Sequence, residues 1–191
     1  PGARPPGHGD RGQGLISQTL RHPAAHIAVL LLAAVVLRAD TFGDPNLHGD
    51  ESFYHTVALA MRHGAIPYVD VWDRKPFGLF ALYWLFTFAS TAPLAYQLAA
   101  TACAAGTAWA IAAIARALAP DDAGAARGGL LAGLAYLLWL APMQGFGGQS
   151  PVFYNLFIAL AALLVVRALP ALRKGTAAPA TFAAMALAGI G

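Results

Sequence analysis

Charge is scarce in this chain. Twelve lysines and arginines and nine acids make up 11% of its 191 residues, whereas 58% are hydrophobic. Average soluble domains carry about 25% charged and roughly 45–50% apolar residues. With a mean hydropathy of +0.57, a water-soluble domain of this length could not hide its apolar surface. Cysteine is nearly missing: Cys103, inside an apolar run, is the only one, which excludes an internal disulfide framework and a cysteine-based metal site. The pI of 9.3 accompanies a net charge of only +3, with no basic patch interleaved with aromatics, so nucleic acid is excluded as a partner. A Gly-rich phosphate loop, a nucleophile elbow and an HExxH motif are all absent. These absences leave an all-α polytopic membrane protein, in which the few charges are expected to be solvated, paired or used.

What is present is apolar runs divided by short polar stretches. Residues 1–22 are rich in Pro, Gly and Arg without apolar periodicity, and read as a disordered cytoplasmic tail. Residues 23–191 read as one transmembrane domain. Its first span covers residues 23–38; it is short for a bilayer, and Arg38 is expected to snorkel outward from its end. No small-x-small cleavage site follows closely, so the segment is an anchor and not a signal peptide. Further spans are expected at 94–118, 128–148 and 151–166, with a fifth starting at Pro179. The chain opens at a proline and stops at Gly191 inside that fifth run, as expected of the N-terminal part of a larger protein. The GxxxG of Gly129 and Gly133 is read as close helix packing.

Arg4, Arg11, Arg21, Arg116, Arg127, Arg167, Arg173 and Lys174 fall in alternate loops and hold eight of the twelve bases. The positive-inside rule makes those loops cytoplasmic and turns the long loop at about 39–93 outward. The uncharged stretch 143–150 then faces outward as well.

That first outer loop carries most of the chemistry-bearing residues. Residues 49–78 read GDESFYHTVALAMRHGAIPYVDVWDRKPFG. Phe53, Tyr54, Val57, Ala58 and Met61 recur at helical spacing, predicting an amphipathic surface helix over 51–63, N-capped by Asp50 and ended by Gly64 and Pro67. The aromatic run 77–89, too short to cross alone, predicts a second interfacial helix. Asp50 and Glu51 either cap and complement the helix N-terminus or, partly buried, serve as a general base. Arg74 and Lys75 either anchor to headgroups or hold a phosphate or diphosphate. Asp70 and Asp73, with Asp50 or His48, have the oxygen chemistry of a divalent-cation site. His48, His55 and His63 read as solvated or hydrogen-bonding side chains, His55 pairing with Glu51 four residues before it.

The order Asp50-Glu51-Ser52-Phe53-Tyr54, then Gly64-Ala65-Ile66-Pro67-Tyr68, then Asp70-Val71-Trp72-Asp73-Arg74-Lys75-Pro76, resembles the opening of the GT-C glycosyltransferases. Specifically it looks like the bacterial protein O-mannosyltransferase and aminoarabinose transferase-like group, and the resemblance runs from about Ala24 to the end of the chain. The resemblance implies a bacterial inner-membrane enzyme whose active site faces outward. Such an enzyme would move a sugar from a polyprenyl-phosphate donor to a lipid, glycan or protein acceptor with inversion. It makes Asp50 and Glu51 the catalytic pair, Lys75 and Arg74 the donor-phosphate contacts, and Tyr54, Tyr68 and Asp73 substrate-binding positions. Many relatives carry an acid before the fourth span, where this chain has Gly147-Gly148-Gln149-Ser150-Pro151-Val152-Phe153. Either Gln149 or Asn155 stands in for it, or the first-loop acids act alone. A transporter or lipid flippase with a substrate-recognising outer loop, and a non-catalytic assembly subunit, are the competing expectations.

Overall fold

The computed structural model describes residues 23–46, 48–120, 122, 124–145, 147–176 and 179–190; the expected N-terminal tail lies outside them. The described residues are helical and contain no strand. The helices are α1 (Pro23–Arg38), α2 (Gly49–Arg62), α3 (Phe77–Ala89), α4 (Leu94–Leu118), α5 (Ala125–Leu140), α6 (Ser150–Arg173) and α7 (Pro179–Ile190). One 3-10 turn, Ala39–Thr41, extends α1. Three segments are long and apolar enough to cross a membrane: Ala24–Thr41, Leu94–Leu118 and Ser150–Arg173. Their outer faces agree with that role, since Ile27, Leu31, Leu32 and Val36 of α1 are all exposed.

The central helix is α4. Its buried Ala100, Ala104, Ala108 and Ala112 recur every four residues and form a stripe without bulk. Gly129 and Gly133 of α5 lie against that stripe: a Cβ on either would stand 2.6 or 2.7 Å from the carbonyl oxygen of Ala112 or Ala108. The GxxxG therefore closes a helix pair within the chain, by backbone approach. On the other side Gly106 of α4 meets Leu156 of α6.

The third expected span, 128–148, is not continuous. Its helix starts earlier, at Ala125, and ends at Leu140. Sixteen residues at a rise of about 1.5 Å give roughly 24 Å, short of a hydrocarbon core of about 30 Å. Gly145 N–H caps the helix by donating to Leu140 O, and Gln144 and Gly147 adopt positive φ. That chain reversal is what an uncharged, apolar-looking sequence concealed. The fourth span is longer than expected and runs to Arg173, with Pro170 tolerated near its end.

Both ends of the bundle are tied together. At one end, Gln97 of α4 accepts from Gly43 N–H at 2.7 Å and donates to Asp44 O at 2.9 Å, fixing the exit of α1 beside the start of α4. At the other, Arg116 near the end of α4 lies 3.3 Å from His26 near the start of α1. The loops after α1 and after α5 consequently share one face of the bundle. On it, α2 lies along α3 through edge-to-face rings: Tyr54 to Phe80 at 6.1 Å and Tyr54 to Tyr83 at 5.6 Å between centroids. Arg62 locks the pair, donating to Thr87 O at 2.6 Å with its guanidinium over the Phe88 ring.

Candidate functional site

The first turn of α2 separates two neighbouring carboxylates. The N-cap is His48, with extended backbone and an Nδ1 that accepts from Asp50 N–H at 3.3 Å. Asp50 was expected to cap; instead it stands one turn-position inside the helix, leaving its carboxylate free to reach outward. It is exposed, and its Oδ2 accepts from the Tyr54 hydroxyl at 3.3 Å and pairs with Lys75 Nζ at 3.9 Å. Lys75 also sits 5.6 Å from the centre of the Tyr54 ring. That contact with Tyr54, then the charge of Asp50, hold the Lys75 ammonium above its ordinary pKa against the effect of burial, while burial pushes the Tyr54 phenol up. Both are in their usual neutral-pH forms: an ammonium and a phenol. Asp50, Tyr54 and Lys75 thus form one compact cluster.

The other expected contacts are arranged differently. Tyr68, at φ 69°, donates its hydroxyl to Lys75 O at 2.6 Å. Asp73 accepts from Lys75 N–H at 2.8 Å, and Asp70 accepts from Ile66 N–H at 2.7 Å. These three residues shape the turn that presents Lys75. Arg74 points into solvent. Both aspartates being engaged with local backbone, no group of three His, Cys, Asp or Glu side chains able to hold a metal ion forms among the described residues. The D-x-x-D spacing does not fit a divalent cation here, and no step is assigned to one. His55 does not pair with Glu51. It faces the α3–α4 loop, 2.9 Å from Thr91 O, with its ring against Tyr96.

Glu51 turns the opposite way from Asp50 and is fully buried. Its Oε2 accepts from Gly148 N–H at 2.6 Å, and its Oε1 has no partner among the described residues. Burial raises its pKa to about 7, opposed by the Gly148 hydrogen bond and by the positive charge of Arg38. Arg38 does not snorkel. It is 5% exposed and donates to Thr101 Oγ1 at 3.2 Å, to Gly145 O at 2.8 Å and to Gly147 O. Inward donation wins because carbonyls freed by the reversal after α5 lie within reach. Tyr83 completes the node, its hydroxyl donating to Gly148 O at 2.6 Å. A Cβ on Gly147 would overlap the Glu51 carboxylate, and one on Gly148 would overlap the Tyr83 hydroxyl and the Tyr96 ring. Only glycine fits at either place. Arg38, Tyr83 and the Gly147-Gly148 pair were not among the expected site residues. Adjacent glycines just ahead of an α6 start were the available signal.

Lys75 also lines a cavity of about 610 Å³ between α3 and the start of α6. Leu79 and Leu82 form one wall and Phe153 and Phe157 the other, while Gln149, Ser150 and Tyr154 supply polar groups. Asn155 points elsewhere, its amide 3.5 Å from the Tyr136 hydroxyl. Of the two stand-ins for a second-loop acid, only Gln149 reaches this cavity. The arrangement is an exposed carboxylate and an ammonium at the edge of a largely apolar space. No family model, curated protein or solved structure matches this chain.

Proposed function

We propose that this chain belongs to an integral-membrane glycosyltransferase of the GT-C kind, using a polyprenyl-phosphate sugar and an extracytoplasmic acceptor. The observation that carries this reading is the Asp50–Lys75 pair at the edge of the 610 Å³ apolar cavity. A long-chain phosphate donor needs an apolar channel beside a cation, and an acceptor hydroxyl needs a solvent-reachable base.

In this reading the acceptor oxygen attacks the anomeric carbon while the bond from that carbon to the phosphate oxygen breaks. The bonding pair leaves with the phosphate, towards Lys75, and the acceptor proton passes to Asp50. Inversion requires base and leaving group on opposite sides of the sugar. At 3.9 Å the pair is too close to hold a ring between its members. Donor entry therefore parts them, and the four-carbon stem of Lys75 supplies the movement. Glu51, buried and bound to Gly148, positions the first turn of α2 and does not meet substrate.

The test is transfer of labelled sugar from a polyprenyl-phosphate donor by the full-length protein in membranes. Donor-dependent glycosylation of an endogenous acceptor supports the reading. Lipid or sugar flux across proteoliposomes without transfer would make the protein a transporter, a reading favoured by the buried Arg38 near the end of a span. Absence of both activities would leave an assembly subunit. Orientation is tested separately: Ser52→Cys and His63→Cys should react with an impermeant maleimide from outside the cell. Protection of both would reverse the topology. The matching inner-side position, Ala123, lies outside the described residues.

A further inference from the structure

We infer that the start of α6 forms the second half of the anion site, with the Gln149 amide and the first turn of α6 gripping a lipid-linked phosphate opposite Lys75. The inference rests on the donor reading above and adds residues to it. The first observation is an orphan. Gln149 is 7% exposed, and its Nε2 is buried without a hydrogen-bond partner among the described residues. An unmatched buried amide donor is costly and calls for a ligand, ion or water to meet it. The second observation is where it lies: Gln149 and Ser150 line the same cavity as Lys75.

The third is the element it introduces. Gln149 is the N-cap of a 24-residue helix, yet its side chain makes no capping bond. The amide is therefore not occupied in satisfying its own helix. The first-turn N–H groups lack intrahelical acceptors, and the helix dipole adds positive potential there. Pro151 contributes no N–H, which leaves the backbone N–H and hydroxyl of Ser150 beside the Gln149 amide as donors. The charge pattern fits an anion. Among the described residues, Lys75 is the one charged side chain lining the cavity, and Asp50, its partner at 3.9 Å, does not line it. The apolar walls require that the anion carry a long hydrocarbon chain, as a polyprenyl monophosphate does and inorganic phosphate does not.

The experiment is binding of a long-chain polyprenyl monophosphate, the matching polyprenol and inorganic phosphate to the full-length protein in phosphatidylcholine nanodiscs, read by native mass spectrometry. Wild type should hold the lipid phosphate at least about 10-fold more tightly than the alcohol, as one charge-assisted contact provides. Gln149→Met keeps the length of the side chain and removes the donor. It should weaken the lipid phosphate by about 10-fold and leave the alcohol unchanged, the latter also reporting an intact fold. Gln149→Glu, placing a like charge at the anion, should weaken it further. Wild-type affinity for the lipid phosphate in both Gln149 variants, with Lys75→Ala still impaired, would remove α6 from the site and leave the donor reading standing. Equal wild-type affinity for phosphate and alcohol would overturn both. Equal affinity for inorganic phosphate would overturn the lipid assignment.

Discussion

Asp50 and Glu51 are adjacent in sequence and opposite in circumstance. Asp50 lies at the surface, 3.9 Å from a lysine that is itself partly exposed. Glu51 is sealed beneath it, held by Gly148 and in the field of a buried arginine. The same carboxylate chemistry, displaced by about 100° around a helix, becomes a solvent-reachable group beside a lysine in one case and a fastening in the other. Exposure and rigidity occupy consecutive positions, so whatever holds Glu51 also aims Asp50.

The comparison breaks most severely if the fastening is cut. Arg38→Ala would leave the Gly145 and Gly147 carbonyls without their donor and Glu51 without its nearest positive charge. Removing one member of a buried charged set costs about 3–5 kcal/mol. Thermal unfolding in detergent should show a loss of that size, partly recovered by Arg38→Lys. An unchanged melting temperature would mean that the node holds nothing together.

The exposed member should respond in activity alone. Asp50→Asn keeps the shape, and capping by His48 is untouched. Loss of a general base slows a reaction by about 10²–10⁴-fold. Sugar transfer should fall at least about 100-fold while the melting temperature stays at the wild-type value. A fully active Asp50→Asn enzyme would erase the functional distinction between the two carboxylates.

The subtlest test sharpens the contrast through pH. Glu51 titrates near 7 in the folded protein and near 4.5 when exposed. Between those values the folded state binds more protons than the unfolded state, so stability falls as pH rises from 4.5 to 7 and levels off above. Melting temperatures across that window should slope downward in wild type more steeply than in Glu51→Gln. Identical slopes would show that Glu51 carries no such penalty.

Much of this fold is readable from residue order. The boundaries of α3 and α4 follow from apolar runs set off by Pro76 and Pro93, and α1 ends at Arg38 as hydropathy requires. That Asp50, Tyr54 and Lys75 share one loop was legible, but their meeting was not, since it depends on how the turn at 66–75 folds back on α2. What lay beyond reach depends on distant partners. Whether Arg38 turns towards water or inward is decided by carbonyls on another loop, and which acid is buried is decided by Gly148. The end of α5 at Leu140 was legible only in part: Pro142, Gly145, Gly147 and Gly148 are turn-forming residues and 143–150 was read as an outer stretch, yet the absence of charge let the expected span run on to 148. His48 was weighed as a metal ligand and not as a cap, since histidine seldom fills that position.

The separation in sequence between Arg38 and its acceptors imposes an order on biosynthesis. Thr101 is translated 63 residues later, and Gly145 and Gly147 follow at 107 and 109. As α1 leaves the ribosome, none of the acceptors that its guanidinium meets in the finished fold has yet been made. Only emergence of the α5–α6 reversal lets Arg38 withdraw, carrying the end of α1 with it. Maturation of this face of the bundle is thus a late event, timed by a loop that bears no charge of its own. Stalled nascent chains would display the delay. In a Cys103→Ser background, Thr41→Cys, buried in the finished fold, should accept a water-soluble maleimide when synthesis halts at residue 140 and resist it once the α5–α6 reversal has left the ribosome. Equal protection at both lengths would mean that α1 settles without waiting for its distant partners.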